Sequence, residues 1–286
     1  MKNFKLLLLT LTLFISYSKV YGQKTRIGTL DKKLNEISGL TFINDSIMVG
    51  HNDSGDGSKL YFMNVKGELK HECLIGNAKN IDWEDITYDG SKYLYIADFG
   101  NNDNNRKDLV IYKVEAEKAL NNIQADAKEI RFNYEEQVSF PPKDDSLFYD
   151  AEGLAYYKGD LYIFTKCRTK PYTGISLCYK VPTEEGNYNL KKSYEITLGK
   201  DGWWKDSNTA LEAHNGVFYV LTYNRLITMR LTEQGFEQIN EYLMEPISQF
   251  EAVAINSNGD IYLADEENTL LGGGNIYQVK FSKNQK

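Results

Sequence analysis

Short runs rich in Tyr, Val, Ile and Leu, each broken by a turn built on Gly, Asn or Asp, fill most of the chain. The clearest phrase is NIDWEDITYDGSKYLYIADFGNN, residues 80–102. It predicts a strand led by Glu84, a turn at Asp89-Gly90-Ser91, a second strand and then a polar loop. The phrase recurs as NEISGLTFINDSIMVGHNDSGD, DAEGLAYYKGDLYIFTK, TALEAHNGVFYVLTYNR and QFEAVAINSNGDIYLADEEN, with Glu36, Glu152, Glu212 and Glu251 in the leading role. β-branched and aromatic runs repeated in this way, with turn residues between them, predict a propeller or a similar array.

Each unit divides into strands: 38–43, 46–50, 59–63 and 68–74 in the first; 84–88, 93–97, 109–114 and 129–133 in the second; 153–157, 161–165, 175–181 and 192–198 in the third. The fourth has 211–214, 217–222, 226–231 and 236–242, and the fifth only 252–256, 261–264 and 275–281. A spare strand at 25–30 precedes the first unit. A ring of four-stranded blades leaves no open edge if that spare strand completes the last blade. The expectation is an all-β chain, a β-propeller of five four-stranded blades closed by the N-terminal strand. The longer spacings between Glu84, Glu152 and Glu212 leave room for a sixth. One helical stretch, 116–127, reads as an excursion between outer strands.

Antiparallel connectivity brings the start of each first strand and the loop after each second strand to the same end of the channel. Glu36, Glu84, Glu152, Glu212 and Glu251 are therefore expected as a ring at that mouth, surrounded by the long loops. Two charges about 5 Å apart at an effective dielectric near 20 repel by roughly 3 kcal/mol. The acids must bind a cation, pair with Arg106, Lys166 or Arg225, accept backbone hydrogen bonds, or keep protons. A hard cation suits an all-oxygen set, and calcium suits it better than zinc in a chain with only His51, His71 and His214. The competing expectation is structural: each glutamate ties its blade to the next through main-chain amides.

The 286 residues carry a formal net charge of −7 and no basic patch, so nucleic acid is not an expected partner. Lys2 and Lys5, the apolar run 6–15 and the permissive Val20-Tyr21-Gly22 predict a cleaved signal peptide over 1–22. That leaves one domain over 23–286, secreted or periplasmic, monomeric and without a membrane span after cleavage. Of the three cysteines, Cys167 and Cys178 could bridge within a hairpin or serve, like Cys73, as small buried apolar residues.

The runs EISGL, HNDSGD, DWED, YIADFGNN with Arg106, and DAEGLAY resemble the exported bacterial propellers grouped as SdiA-regulated and esterase-like phytase proteins. These are similar in turn to the calcium-dependent phosphotriesterase, gluconolactonase and paraoxonase superfamily. The resemblance implies a propeller, a calcium at the channel mouth and hydrolysis of an ester, lactone or phosphate. By the same analogy Glu36, Glu84, Glu152 and Asn52 would be metal ligands. The chain departs from those enzymes, which are typically six-bladed, and neither a catalytic His pair nor a general-base Asp aligns with them.

Three function classes follow. A metal-assisted hydrolase would use Asp53, Asp98 or His51 as base, with the ring glutamates on calcium. A non-catalytic module for a carbohydrate, another small molecule or a protein would use Asn52, Asn101, Asn102, Arg106, Lys166, Trp203, Trp204 and Tyr223, polar groups beside aromatic faces. A glycosidase would use two of the ring carboxylates as acid and base or nucleophile.

Overall fold

Tight turns join the first two strands of each repeat, and in four of the five they use residues that accept positive φ, as at Gly90 (φ 76°) and Gly216 (φ 80°). A computed structural model describes residues 20–270 and 272–281; all but the last three residues of the expected leader lie outside them. Blade one contains β2 (Ile37–Asn44), β3 (Ile47–Asn52), β4 (Lys59–Asn64) and β5 (Leu69–Ile75), preceded by β1 (Val20–Thr29). Blade two contains β6 (Trp83–Tyr88), β7 (Tyr93–Asp98), β8 (Val110–Glu115) and, after α1 (Ala116–Asn121) and β9 (Gln124–Ala125), β10 (Lys128–Tyr134). Blade three contains β11 (Asp150–Tyr157), β12 (Asp160–Lys166), β13 (Ile175–Pro182) and β15 (Lys192–Thr197), with β14 (Gly186–Leu190) between the last two. After α2 (Trp203–Asp206), blade four contains β16 (Asn208–His214), β17 (Val217–Thr222), β18 (Arg225–Thr232) and β19 (Gly235–Leu243). Blade five contains β20 (Phe250–Ile255), β21 (Ile261–Asp265) and β22 (Asn275–Phe281).

The ring closes as the strand count demands. β1 pairs antiparallel with β22, from Gly22 opposite Phe281 to Thr29 opposite Asn275, and becomes the outer strand of blade five. Five blades result, not six. Three junctions are also laced by short parallel pairs in which a blade reaches back to the one before it: β9 to β5, β14 to β10 and β1 to β19. These pairs cover outer edges that would otherwise be open to other chains. The helix expected over 116–127 is confined to α1, because the chain beyond it is drawn into the lacing strand β9.

Five apolar layers fill the five gaps between blades. Phe62 and Trp83 lie in the first gap, Ile111 and Tyr179 in the second, Phe164 and Phe218 in the third, Leu221 and Phe250 in the fourth, and Leu40 and Ile276 in the last. Cys73, Cys167 and Cys178 are all free and buried, so the possible bridge between Cys167 and Cys178 is absent. No helix among the described residues is long and apolar enough to cross a membrane.

One irregularity repeats in all five innermost strands. The pairing skips a residue near the start of each, so a β-bulge falls at Ser38, Glu84, Glu152, Thr209 and Glu251. A bulge bends its strand and re-aims the extra side chain. The residue after each bulge is small in four blades (Gly39, Gly153, Ala210, Ala252) because the inner strands approach closely: a Cβ on Gly153 would lie 2.7 Å from that of Leu211. The exception is Asp85. Its buried carboxylate accepts from the backbone N–H of Ile86 (2.8 Å), Leu154 (2.8 Å) and Leu211 (3.0 Å), tying blades two, three and four together.

Candidate metal and ligand site at the channel mouth

The bulges give the mouth its order. The bulge positions form an inner set: Ser38, Glu84, Glu152, Thr209 and Glu251. Two residues earlier stand Glu36, Asp82, Asp150, Ser207 and Gln249. Just past the register partner on the second strand stand Asp53, Phe99, Lys166, Tyr223 and Glu266. The two hydroxyl bulges bond the next blade, Ser38 to the Glu84 carbonyl (2.9 Å) and Thr209 to the Phe250 carbonyl (2.7 Å). The three acidic bulges turn into a cavity of about 270 Å³, whose walls also carry Glu36, Asp53, Asn102, Lys166, Arg168, Trp203, Tyr223, Gln249 and Glu266.

Two carboxylate triples share Glu84. In each, one oxygen per residue lies within 4.8 Å of the others: Asp53, Asp82 and Glu84 between blades one and two, and Glu84, Asp150 and Glu152 toward blade three. Their surroundings differ. Lys166 Nζ lies 2.9 Å from Glu152, and Arg168 Nε lies 2.6 Å from Asp150, while its Nη2 donates to Asn102. No ion pair reaches Asp53, Asp82 or Glu84 among the described residues, and Glu84, a residue 5 % exposed, accepts no hydrogen bond on its carboxylate there. Burial, followed by the neighbouring acids, pushes Glu84 well above the usual carboxylate range and Asp82 up to about 7. Glu152, also raised by burial but opposed by Lys166, reaches about 7. Across the cavity, burial raises Glu251 to about 8 and Glu266 to about 7.

Loop 98–109 braces the unpaired triple. Asn101 Oδ1 accepts from the Asn105 and Arg106 N–H groups (2.8 and 2.9 Å), and its own N–H donates to Asp150 (2.8 Å). Arg106 pairs with Asp98 at 2.9 Å and donates to the Gly100 carbonyl at 2.8 Å. This holds Gly100 against the site: a Cβ there would run into the Glu84 and Asp82 carboxylates. On the opposite wall Trp203, Trp204 and Tyr223 form a trio with ring centres 5.0–5.3 Å apart. Asp206 pairs with buried Arg225 and accepts from the Gly202 N–H (3.0 Å), fixing the turn that carries them.

Several expected site residues stand elsewhere. Glu212 belongs to the far end of the channel, three residues past its bulge, where it accepts from the Ala213 N–H (2.8 Å) and burial raises it to about 8. His51 is fully buried against Trp83, with ring centres 5.4 Å apart, and burial lowers it to about 4, leaving a neutral ring with no access to the cavity. Asp98 is fully buried behind Asp82, and Arg106 is spent on it. Asn52 donates to the Lys33 carbonyl and to Asp56 (2.7 and 2.9 Å), and Asn101 is committed to its loop, so neither lines the cavity. Arg225 serves Asp206 rather than the ring acids.

Glu36, Glu84, Glu152, Glu251, Asp53, Asn102, Lys166, Trp203 and Tyr223 do line the cavity; Trp204 stands beside them, 59 % exposed. Asp82, Asp150, Arg168, Gln249 and Glu266 were absent from the candidate set. A signal for two of them was present: the Asp-X-Glu spacing of Asp82-Trp83-Glu84 and Asp150-Ala151-Glu152. Nothing in the loop sequence singled out Arg168.

No protein-family model matches the chain, and no curated protein matches it in sequence. Solved structures do. A glutaminyl cyclase from Myxococcus xanthus superposes with a TM-score of 0.57 at 12% identity, over 93% of this chain and 99% of that one. A PQQ-bound aldose sugar dehydrogenase from Streptomyces coelicolor gives 0.56 at 11%, over 92% and 99%. A gluconolactonase from Xanthomonas campestris reaches only 0.47 at 7%, over 91% and 90%, and nothing is built on that likeness. At such identities the shared feature is the fold, and chemistry has to come from the site itself.

Proposed function

We propose that the protein is an exported propeller that holds calcium between Asp53, Asp82 and Glu84 and uses it to hydrolyse an ester, a lactone or a phosphate ester. One observation carries this reading: Glu84 is buried beside two acids with no cation and no hydrogen-bond donor among the described residues. A carboxylate so placed keeps a proton or faces a cation. The donor set fits a hard ion, being all oxygen, and Gly100, having no side chain, lets its loop pack directly against the Glu84 and Asp82 carboxylates. Bound there, calcium would supply positive charge to polarise a carbonyl or phosphoryl oxygen.

The remaining roles fall to the chain itself. Lys166 has three N–H donors and places two, on Glu152 and on the Tyr223 hydroxyl (3.2 Å), leaving one for an anionic or carbonyl oxygen of the substrate. Glu251 and Glu266, raised toward neutrality, are suited to take and return a proton. Trp203 and Tyr223 shield that wall from water. Of the three bases expected from the sequence only Asp53 faces the cavity, and here it belongs to the cation-binding triple.

The test is a panel of aryl ester, lactone and aryl phosphate substrates, assayed with calcium and with excess chelator. Turnover that the chelator abolishes, calcium restores and folded Glu84→Gln lacks would support the reading. Turnover indifferent to chelator would refute it. A binding module is favoured by the exposed Trp204 beside Trp203 and Tyr223, and calcium-dependent binding without turnover on any substrate would select it.

A further inference from the structure

We infer that Lys166 is the built-in occupant of a second cation position, formed by Glu84, Asp150 and Glu152, and that it thereby limits the mouth to one divalent ion. This rests on the calcium reading above. The five-fold register shows why the position exists. At the first junction the three equivalent positions hold Asp53, Asp82 and Glu84, and at the next they hold Phe99, Asp150 and Glu152. The other junctions hold Lys166, Ser207 and Thr209; Tyr223, Gln249 and Glu251; and Glu266, Glu36 and Ser38. Only the first junction has three acids. The second has two and gains a third by sharing Glu84, whose buried and unbonded carboxylate reaches both groups.

The chain answers that second group with its own cations. Just past the register partner on the second strand, blades one and five place an acid (Asp53, Glu266) where blade three places Lys166. Lys166 is 3 % exposed, with its ammonium 2.9 Å from Glu152 and over the rings of Trp203 and Tyr223 at 5.2 and 5.3 Å. Burying an ammonium is costly unless an anion compensates it. The Glu152 carboxylate in contact with it supplies that anion. Arg168 covers Asp150 at 2.6 Å and reaches Glu152 at 3.6 Å. Neither cation pairs with Glu84, which stays free for an ion on the other side. The ligand class for the position, once vacated, is a second hard divalent ion.

The test counts calcium ions per chain by equilibrium dialysis, in the whole protein, in Lys166→Met and in Lys166→Met/Arg168→Met, with Lys166→Arg as the variant that keeps the cation. The expected counts are one ion for the parent and Lys166→Arg, and two for at least one methionine variant. The methionine variants should also melt lower than the parent without calcium and regain most of the difference with it. If they do not fold without the ion, the count and the melt are read in calcium. One ion in every folded variant would overturn the inference and leave the calcium reading intact, as would two ions in the parent. No ion in the parent would overturn both.

Discussion

The two halves of the channel mouth are built on the same backbone positions and treat their carboxylates in opposite ways. Between blades one and two, Asp53, Asp82 and Glu84 converge and, among the described residues, none of them forms an ion pair; Lys166 and Arg106 act on Asp53 and Asp82 only from a distance. On blade three, Asp150 and Glu152 converge as closely but are met by Arg168 and Lys166. The fold explains the convergence, since a bulge at the start of each inner strand turns one side chain into the opening. It does not explain the compensation. That depends on which residue stands at the mouth end of each second strand: Asp53 in blade one, Lys166 in blade three. One half is compensated by the chain's own cations, and the other is left to hold protons or an ion.

Four substitutions and a titration sharpen this contrast. The largest effect is expected for Asp85→Ala. Asp85 is an acid in the same channel satisfied by three backbone donors, and its removal leaves those donors buried and unpaired, at a cost of about 3 to 5 kcal/mol. Chemical denaturation should give the same loss with and without calcium; a loss confined to one condition would mean that Asp85 belongs to the ion site. Next is Glu84→Gln, which relieves repulsion in the apo protein. Stability without calcium should rise by roughly 1 to 3 kcal/mol, and calcium should no longer stabilise. Glu152→Gln, which strands Lys166, should instead lose stability, and equal responses of the two variants would erase the distinction between the halves.

The pH dependence has a definite sign. Asp82 and Glu84 are raised in the folded protein by burial and then by neighbouring acids, so the folded state holds protons that the unfolded chain has already released. Apo stability should therefore fall as pH rises from about 4 through about 7. Saturating calcium should flatten the fall over that range, which melting at a series of pH values would measure. The smallest effect is expected for Trp204→Ala at the rim. It should change stability by no more than about 0.5 kcal/mol and leave calcium affinity unchanged; a change in ion binding would show the aromatic wall to be coupled to the acids.

Much of the ring was legible in the sequence because strand, turn and strand recur with their turn residues, and because the spare N-terminal strand matched the missing one in unit five. The mouth was less legible, for a specific reason. Acid identity was a guide at the bulge or on the mouth side of it, and failed beyond it. Glu84, Glu152 and Glu251 occupy bulges, whereas Glu36 lies two residues before one and Glu212 three residues after one, at opposite ends of the channel. A bulge has no composition of its own here, since Ser, Glu and Thr all occupy it. His51 misled for another reason: a polar residue at the end of a second strand looks exposed until the neighbouring Trp83 packs over it. Arg168 could not be found from its loop, because its partners Asp150 and Asn102 come from other segments that only the fold brings together.

The most direct test of the central claim is the anomalous scattering of a lanthanide soaked into crystals of the protein as a calcium substitute. A peak between the carboxylates of Asp53, Asp82 and Glu84, with Lys166 still on Glu152, is the predicted result. A peak between Asp150 and Glu152 with Lys166 displaced, or no peak at the mouth at saturating lanthanide, would contradict it.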